Sequence, residues 1–245
     1  MIKNNLIGIS GKMGSGKDTV GKMLQYLSSR TLERKSDYQI KKFADKLKDM
    51  VCLLIGCTRE QLEDREFKEK ELGEEWNKLD KIALLAYNKD NPLCHEKGYL
   101  HNTMTVRKLL QLLGTEAGRE IIHPNIWVNA LFADYKSGYV EQGVGWVETE
   151  DDYPNWIITD VRFPNEAKAI KDRGGIVIRI NRLSEEQKIA SIKARANRPN
   201  DAIELALKEK HPSETALDDY EFDHVIDNNG SIEELLEKVN KLNLV

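Results

Sequence analysis

Near the start of the chain, Gly11-Lys12-Met13-Gly14-Ser15-Gly16-Lys17 matches the pattern G-x-x-x-x-G-K. The chemistry this spacing offers is anion binding. Gly14 and Gly16 admit backbone conformations closed to most residues, so that successive N–H groups can face one phosphate. A helix starting at the end of the loop adds the partial positive charge of its N-terminus. Lys17 can then bridge the β- and γ-phosphates of a nucleotide. A glycine-rich turn that binds nothing is the plain alternative. Context separates the two. The motif follows a short apolar run, Leu6-Ile7-Gly8-Ile9, and precedes Val20, Met23, Leu24 and Leu27, which fall at the i, i+3, i+4, i+7 spacing of an amphipathic helix.

Asp18 stands where a Ser or Thr hydroxyl usually meets Mg²⁺. A carboxylate is also a hard oxygen donor and can hold Mg²⁺ directly or through water. It sets a negative charge beside the phosphates, which a metal or nearby arginines must offset. A plain acidic residue favoured by the helix dipole is the competing explanation. Thr19 supplies a hydroxyl next to it. A second acid, Asp160, follows the apolar run Trp156 to Thr159, the place from which phosphate-loop proteins reach the metal. Arg162, Asn165 and Glu166 come just after, at a strand's C-terminal end, where α/β sheets bind ligands. An ion pair of Arg162 with Asp160 or Glu166 that merely fixes the loop would also fit. Arg107 and Lys108 lie side by side with Arg119 beyond, and on pattern alone they are solvated helix charge.

These groups need a frame. Tyr38 to Phe43 reads as an edge strand, followed by a helix with Leu47, Met50, Val51, Leu54 and Ile55 inward and Gly56 near its end. The charge run at 59–75 reads as one solvated helix with i,i+4 ion pairs. A helix spans 105–113, with Val106, Leu109, Leu110 and Leu113 on one face and Gly114 as its stop. Another covers 124–136, with Pro124 near its first turn. Five acids without a base make 141–152 a surface loop. The strand leading to Asp160, a helix over 164–173 and the strand Ile176 to Ile180 form a βαβ unit, hence parallel strands. A basic-then-mixed segment at 182–210 is a pair of helices and a candidate lid. Phe222 to Asp227 is the last strand, and Ser231-Ile232-Glu233-Glu234 opens a C-terminal helix with Ile232, Leu235, Leu236 and Val239 inward. The alternation predicts an α/β three-layer fold with a mainly parallel five-stranded sheet. It is expected as a single domain over 1–245 with a helical insertion at about 44–140.

Composition narrows the partners. The 245 residues are 40% hydrophobic, enough for a sizeable core. The 37 basic and 41 acidic residues leave a net charge of −4, unlike the basic footprint of a nucleic-acid binder. Residues 214–245 hold nine acids and two bases, so the rest of the chain is net positive by three, and a basic pocket fits inside an acidic protein. No apolar run approaches the length of a membrane helix, and the first ten residues lack the apolar stretch of a signal peptide. The three cysteines, Cys52, Cys57 and Cys94, have no C-x-x-C spacing and read as reduced thiols. A cytoplasmic protein acting on small anionic molecules, with no nucleic-acid or membrane partner, is expected. Phosphoryl transfer needs mainly positioning and positive charge. A small-molecule kinase fits these features. An ATP-binding regulator without transfer and a DNA-associated ATPase are the other classes.

SGKDT (Ser15 to Thr19), VRKLLQLLGTEAGR (Val106 to Arg119), HPNIWV (His123 to Val128), TDVRFPNEA (Thr159 to Ala167) and HPSE (His211 to Glu214) cover most of the chain in this order. Together they resemble the deoxynucleoside monophosphate kinases of tailed bacteriophages. The resemblance implies a P-loop kinase with an adenylate-kinase-like core. Such an enzyme uses ATP and Mg²⁺ to phosphorylate deoxynucleoside 5′-monophosphates (dNMPs), accepts several bases, and supplies phage DNA precursors in the host cytoplasm. It further implies that Gly11, Lys12, Met13, Gly14, Ser15, Gly16, Lys17, Asp18 and Thr19 hold the ATP phosphates, Asp18 being the family's own variant. Arg107 and Lys108 are implied near the acceptor or transferring phosphate, and Trp127 near the nucleotide pocket. Asp160, Arg162 and Glu166 are implied to bind and orient the acceptor. Lys17, Asp18, Arg107, Lys108 and Arg162 are then the expected catalytic groups, Asp18 and Asp160 the expected metal ligands, and a homodimer the default assembly. Kinases acting on phosphomevalonate or dephospho-coenzyme A share the loop and stand as the alternative.

Overall fold

The computed structural model describes residues 5–30, 38–76, 78–79, 101–137, 139–142, 145–148, 153–182 and 215–245. The expected lid beyond Arg182, the HPSE block and Cys94 lie outside the described residues. The chain divides into two compact units, Met1–Phe43 with Val128–Val245, and Ala44–Trp127.

In the first unit, β1 (Leu6–Gly11), α1 (Lys17–Ser29), β2 (Gln39–Lys41), β3 (Trp156–Val161), α2 (Pro164–Lys171), β4 (Ile176–Asn181), β5 (His224–Asp227) and α3 (Ile232–Lys241) follow in chain order. Their five strands form one sheet in the order β2-β3-β1-β4-β5, with every pairing parallel. The central strands are apolar on both faces because both are covered, as parallel sheets require. On one face Ile7, Ile9, Ile157, Ile178 and Ile180 pack with Val20 and Leu24 of α1 and with Leu235 and Val239 of α3. Ile232, expected inward, is 56% exposed. The other face carries α2. A side chain on Gly8 would come within 2.6 Å of the Ile170 Cδ1, so the glycine is what lets α2 close on β1. The three-layer α/β architecture and the five-stranded parallel sheet are therefore present.

Two features of this unit bear on the site. Gly8 pairs with Ile158, yet Ser10 pairs with Val161, so β3 carries one extra residue around Thr159 and Asp160. Such a bulge bends a strand and re-aims its side chains. The expected surface loop at 141–152 is in part a hairpin, with Tyr139–Gln142 antiparallel to Gly145–Glu148. The count of acids there hid the β-forming Tyr139, Val140, Trp146 and Val147.

The second unit is mainly helical. Its helix Asp45–Ile55 ends at Gly56, which is left-handed with φ 67°. Only Leu47 and Val51 of this helix are buried, while Met50 and Leu54, expected inward, are 47% and 51% exposed. The charge run is not one helix. Asp64 turns extended, ends Arg59–Glu63 and starts Arg65–Glu69, its carboxylate accepting the N–H groups of Glu66 and Phe67. Nor does the helix Val106–Gln111 stop at Gly114, since it runs on with wide π-type turns through Leu112–Ile122. Gly114 is buried, and a side chain there would come within 2.9 Å of Leu47. At Gly118 it would meet the Leu113 carbonyl at 2.5 Å and the Trp127 ring at 3.0 Å. These glycines admit neighbours rather than end a helix. The next helix, Ile126–Phe132, is shorter than expected, begins after Pro124, and passes into the first unit at Val128.

Candidate active site

The phosphate loop joins β1 to α1. Gly14 and Gly16 have φ of 76° and 95°, the left-handed region that glycine alone enters without strain. The Ser15 N–H returns to the Lys12 carbonyl at 3.1 Å and tightens the turn. Gly16 starts α1, and no side chain caps this helix end. Its first-turn N–H groups and the positive end of its dipole therefore face the loop, the arrangement that holds an anion. Lys17 is 9% exposed, so its stem is packed into the site. The Ser15 hydroxyl is buried without a hydrogen-bond partner among the described residues, an unmet polar atom inside the loop.

Toward β3, Asp18 meets the Lys42 ammonium at 2.9 Å and accepts the Thr159 hydroxyl at 3.1 Å. Burial pushes its carboxyl up. The Lys42 hydrogen bond and charge, the Lys17 charge and the Thr159 hydroxyl outweigh this and hold it below its ordinary 3.8. The charge of this acid is thus offset by a lysine. Asp160, on the bulge, accepts the Phe43 N–H at 2.8 Å and so fastens the end of β2 to β3. Glu166 is 1% exposed and accepts the N–H groups of Arg162 and Phe163 at 2.8 and 3.1 Å. Its carboxylate caps the first turn of α2 and fixes the backbone from which Arg162 projects. Asp18 and Asp160 are hard oxygen donors of the kind that suits Mg²⁺. Among the described residues no group of three or more His, Cys, Asp or Glu side chains is placed to hold a metal, and an ion that keeps waters and phosphate oxygens needs no such cage.

Toward β4 and β5, the buried Arg179 donates to the Ser10 hydroxyl at 3.0 Å and to Asp218 at 3.2 Å, over the Phe222 ring. Asp218 also pairs with Lys12 of the loop at 3.2 Å. Beside them opens a cleft of about 490 Å³, lined by Lys12, Arg179, Arg182, Tyr220, Phe222 and Asn229 among others. Asn228, just past β5, donates to the Ser15 carbonyl at 2.8 Å.

The remaining expected residues belong to the second unit. Arg107 pairs with Glu69 at 2.5 Å, and both are well exposed. Lys108 follows it, half-buried, on the same helix. Trp127 is 4% exposed, and its indole N–H donates to the Gly114 carbonyl at 2.7 Å. It therefore packs in the core of its own unit, against the wide turns.

A family model described as deoxynucleotide monophosphate kinase matches residues 57–239. The chain belongs to this family. It is 27% identical over 245 residues to the deoxynucleoside-5′-monophosphate kinase of Escherichia phage T5, covering 86% of this chain and 84% of that one. A relative in Acanthamoeba polyphaga mimivirus is 26% identical over 238 residues, 96% of this chain and 93% of the other. The deoxynucleotide monophosphate kinase of Escherichia phage RB69 is 26% identical over 143 residues, 58% of this chain and 46% of that one. The chain is thus an ATP-using kinase with small-molecule substrates, and the phosphomevalonate and dephospho-coenzyme A alternatives are not favoured. No helix among the described residues is long and apolar enough to cross a membrane.

In this kinase the first unit brings together the loop Gly11 to Thr19 with Asp160, Arg162 and Glu166, while Arg107, Lys108 and Trp127 are held in the second. Lys42, Arg179, Asp218 and Asn228 were not marked by any motif. The faint signals were a lysine just past an edge strand, an arginine inside an otherwise apolar strand, and an Asn-Asn-Gly turn after the last one.

Proposed function

We propose that this kinase transfers the γ-phosphoryl group of ATP to the phosphate of a dNMP, giving the diphosphate and ADP. An acceptor phosphate oxygen attacks the γ-phosphorus, the bond to the β–γ bridging oxygen breaks, and ADP leaves with that oxygen. The observation that carries this is the loop itself. Two left-handed glycines stand at an uncapped helix start, beside an ionised Asp18 held by Lys42 and Thr159.

The loop Gly11 to Thr19 holds the ATP phosphates, and Lys17 neutralises charge on the transferring group. Asp18, ionised at neutral pH, and Asp160 would hold Mg²⁺, in part through water. That ion, when bound, offsets the charge on the phosphate oxygens. Arg162, with its backbone fixed by buried Glu166, receives the acceptor phosphate. Arg107 and Lys108, side by side on the helix Val106–Gln111 of the second unit, are cations suited to a phosphate, with Arg107 paired to Glu69. In-line transfer sets donor and acceptor on opposite sides of the moving group. The cleft toward β4 and β5, with Tyr220 and Phe222 in its wall, is suited to a nucleotide base.

The test is a coupled assay of ADP release from ATP with Mg²⁺, run separately with dAMP, dGMP, dCMP, dTMP and the ribonucleotides. Release that rises with at least one dNMP is the expected result. Release that no nucleoside monophosphate stimulates would remove the proposal.

A further inference from the structure

Asn228 touches no atom expected to react, yet it is 9% exposed and tied at two points. Its backbone N–H donates to the Asn181 carbonyl of β4 at 2.7 Å. Its side-chain amide donates to the Ser15 carbonyl at 2.8 Å. A carbonyl can only accept, so the NH₂ side of the amide is the side that meets the loop. A side chain on Gly16 would come within 2.5 Å of that nitrogen. Gly16 is therefore required twice, by its positive φ and by the room Asn228 takes.

We infer that Asn228 is a positioning residue for the phosphate loop, acting through the Ser15–Gly16 peptide. The chain has no cis peptide bond among its described residues, and in a trans peptide the C=O and the following N–H point in opposite directions. By drawing the Ser15 carbonyl toward β5, Asn228 turns the Gly16 N–H the other way, toward the space where the loop receives a phosphate. The clamp reaches the loop from the edge strand, so the loop's shape is set before the nucleotide arrives and less ordering is needed on binding. The inference rests on the proposal that this loop binds the nucleotide's phosphates.

The test compares the full-length wild type with Asn228→Asp and Asn228→Ala. Titration calorimetry measures ADP binding with Mg²⁺, and steady-state kinetics measures the KM of the best acceptor in the dNMP series. Asp keeps the volume of Asn and loses the donor. Ala loses the donor without adding charge. Both should weaken ADP binding about tenfold, the size of one lost hydrogen bond to a fixed partner, and leave the acceptor KM within twofold. Packing alone would leave Asn228→Asp like the wild type. An ADP Kd within twofold of wild type in Asn228→Asp overturns the inference, and if that variant does not fold, the same criterion applies to Asn228→Ala. A wild type that binds no ADP overturns the phosphate-binding proposal together with it. A wild type that binds ADP and phosphorylates dNMPs, beside an unaffected Asn228→Asp, removes the role of Asn228 alone.

Discussion

Lys42 answers the question that Asp18 raises. Without a cation at 2.9 Å, an acid beside the nucleotide phosphates would repel them. The pH behaviour follows with a definite sign. The Asp18 value is lowered in the folded protein, so its ionised form is favoured above 3.8 and lost only as pH falls below that. From about pH 5 to about pH 9 Asp18 should add no limb to the activity profile. In Lys42→Met the burial of the carboxyl is no longer opposed by that cation. The acid limb of kcat/KM should then move to higher pH, and an unmoved limb in a pH series would show that Lys42 does not govern Asp18. Arg162 makes a second prediction. Arg162→Ala should raise the acceptor KM by about tenfold or more and leave the ATP KM unchanged. An unchanged acceptor KM would place the acceptor phosphate elsewhere. The motif residues were legible because their spacing is local. Lys42 and Asn228 were not, because each acts on the loop from another strand, and a single sequence records no such neighbour.

At the scale of elements, the frame was legible wherever one physical pattern ruled. The apolar runs of β1, β3 and β4 and the amphipathic spacing of α1 stand where periodicity puts them. It failed where a residue served a purpose other than its usual one. Gly114 looks like a helix end, but it and Gly118 make room for Leu47 and Trp127. Gly118→Ala should therefore destabilise the protein by about 1–3 kcal/mol through overpacking, as read by denaturant unfolding, and a neutral result would mean the wide turns can shift. Trp127, which the resemblance implies near the nucleotide pocket, joins the same packing through its hydrogen bond to Gly114. Asp223 clamps the sheet edge, accepting the Val177 N–H at 2.7 Å and pairing with Lys171. Burial pushes its carboxyl up, but these contacts hold it below 3.8. Its contribution is complete above that value and lost as pH falls below it. Asp223→Asn should cost about 1–2 kcal/mol at pH 7, with the difference shrinking as pH falls below 3.8 in acid unfolding curves. An equal cost at both pH values would show that its charge is not what matters.

Over the whole molecule, the net charge of −4 is an average that hides opposite ends. The acidic balance lies in the last thirty or so residues, while Lys12, Lys17, Lys42, Arg162 and Arg179 cluster around the phosphate loop and its flanks. That separation lets a protein of net negative charge keep a basic site for anionic small molecules. The family was legible because its motifs recur in order along the chain, and the family model spans both units. What the motifs left out is the set of contacts that aims them. The central claim is phosphoryl transfer between nucleotides, and the most direct measurement follows the phosphorus itself. ATP labelled at the γ-phosphate is incubated with Mg²⁺ and each dNMP, and the products are separated. Label should appear in the deoxynucleoside diphosphate, at a rate lowered about 10²-fold or more by Lys17→Ala. Label found only in inorganic phosphate, with no labelled diphosphate for any dNMP, would contradict the account.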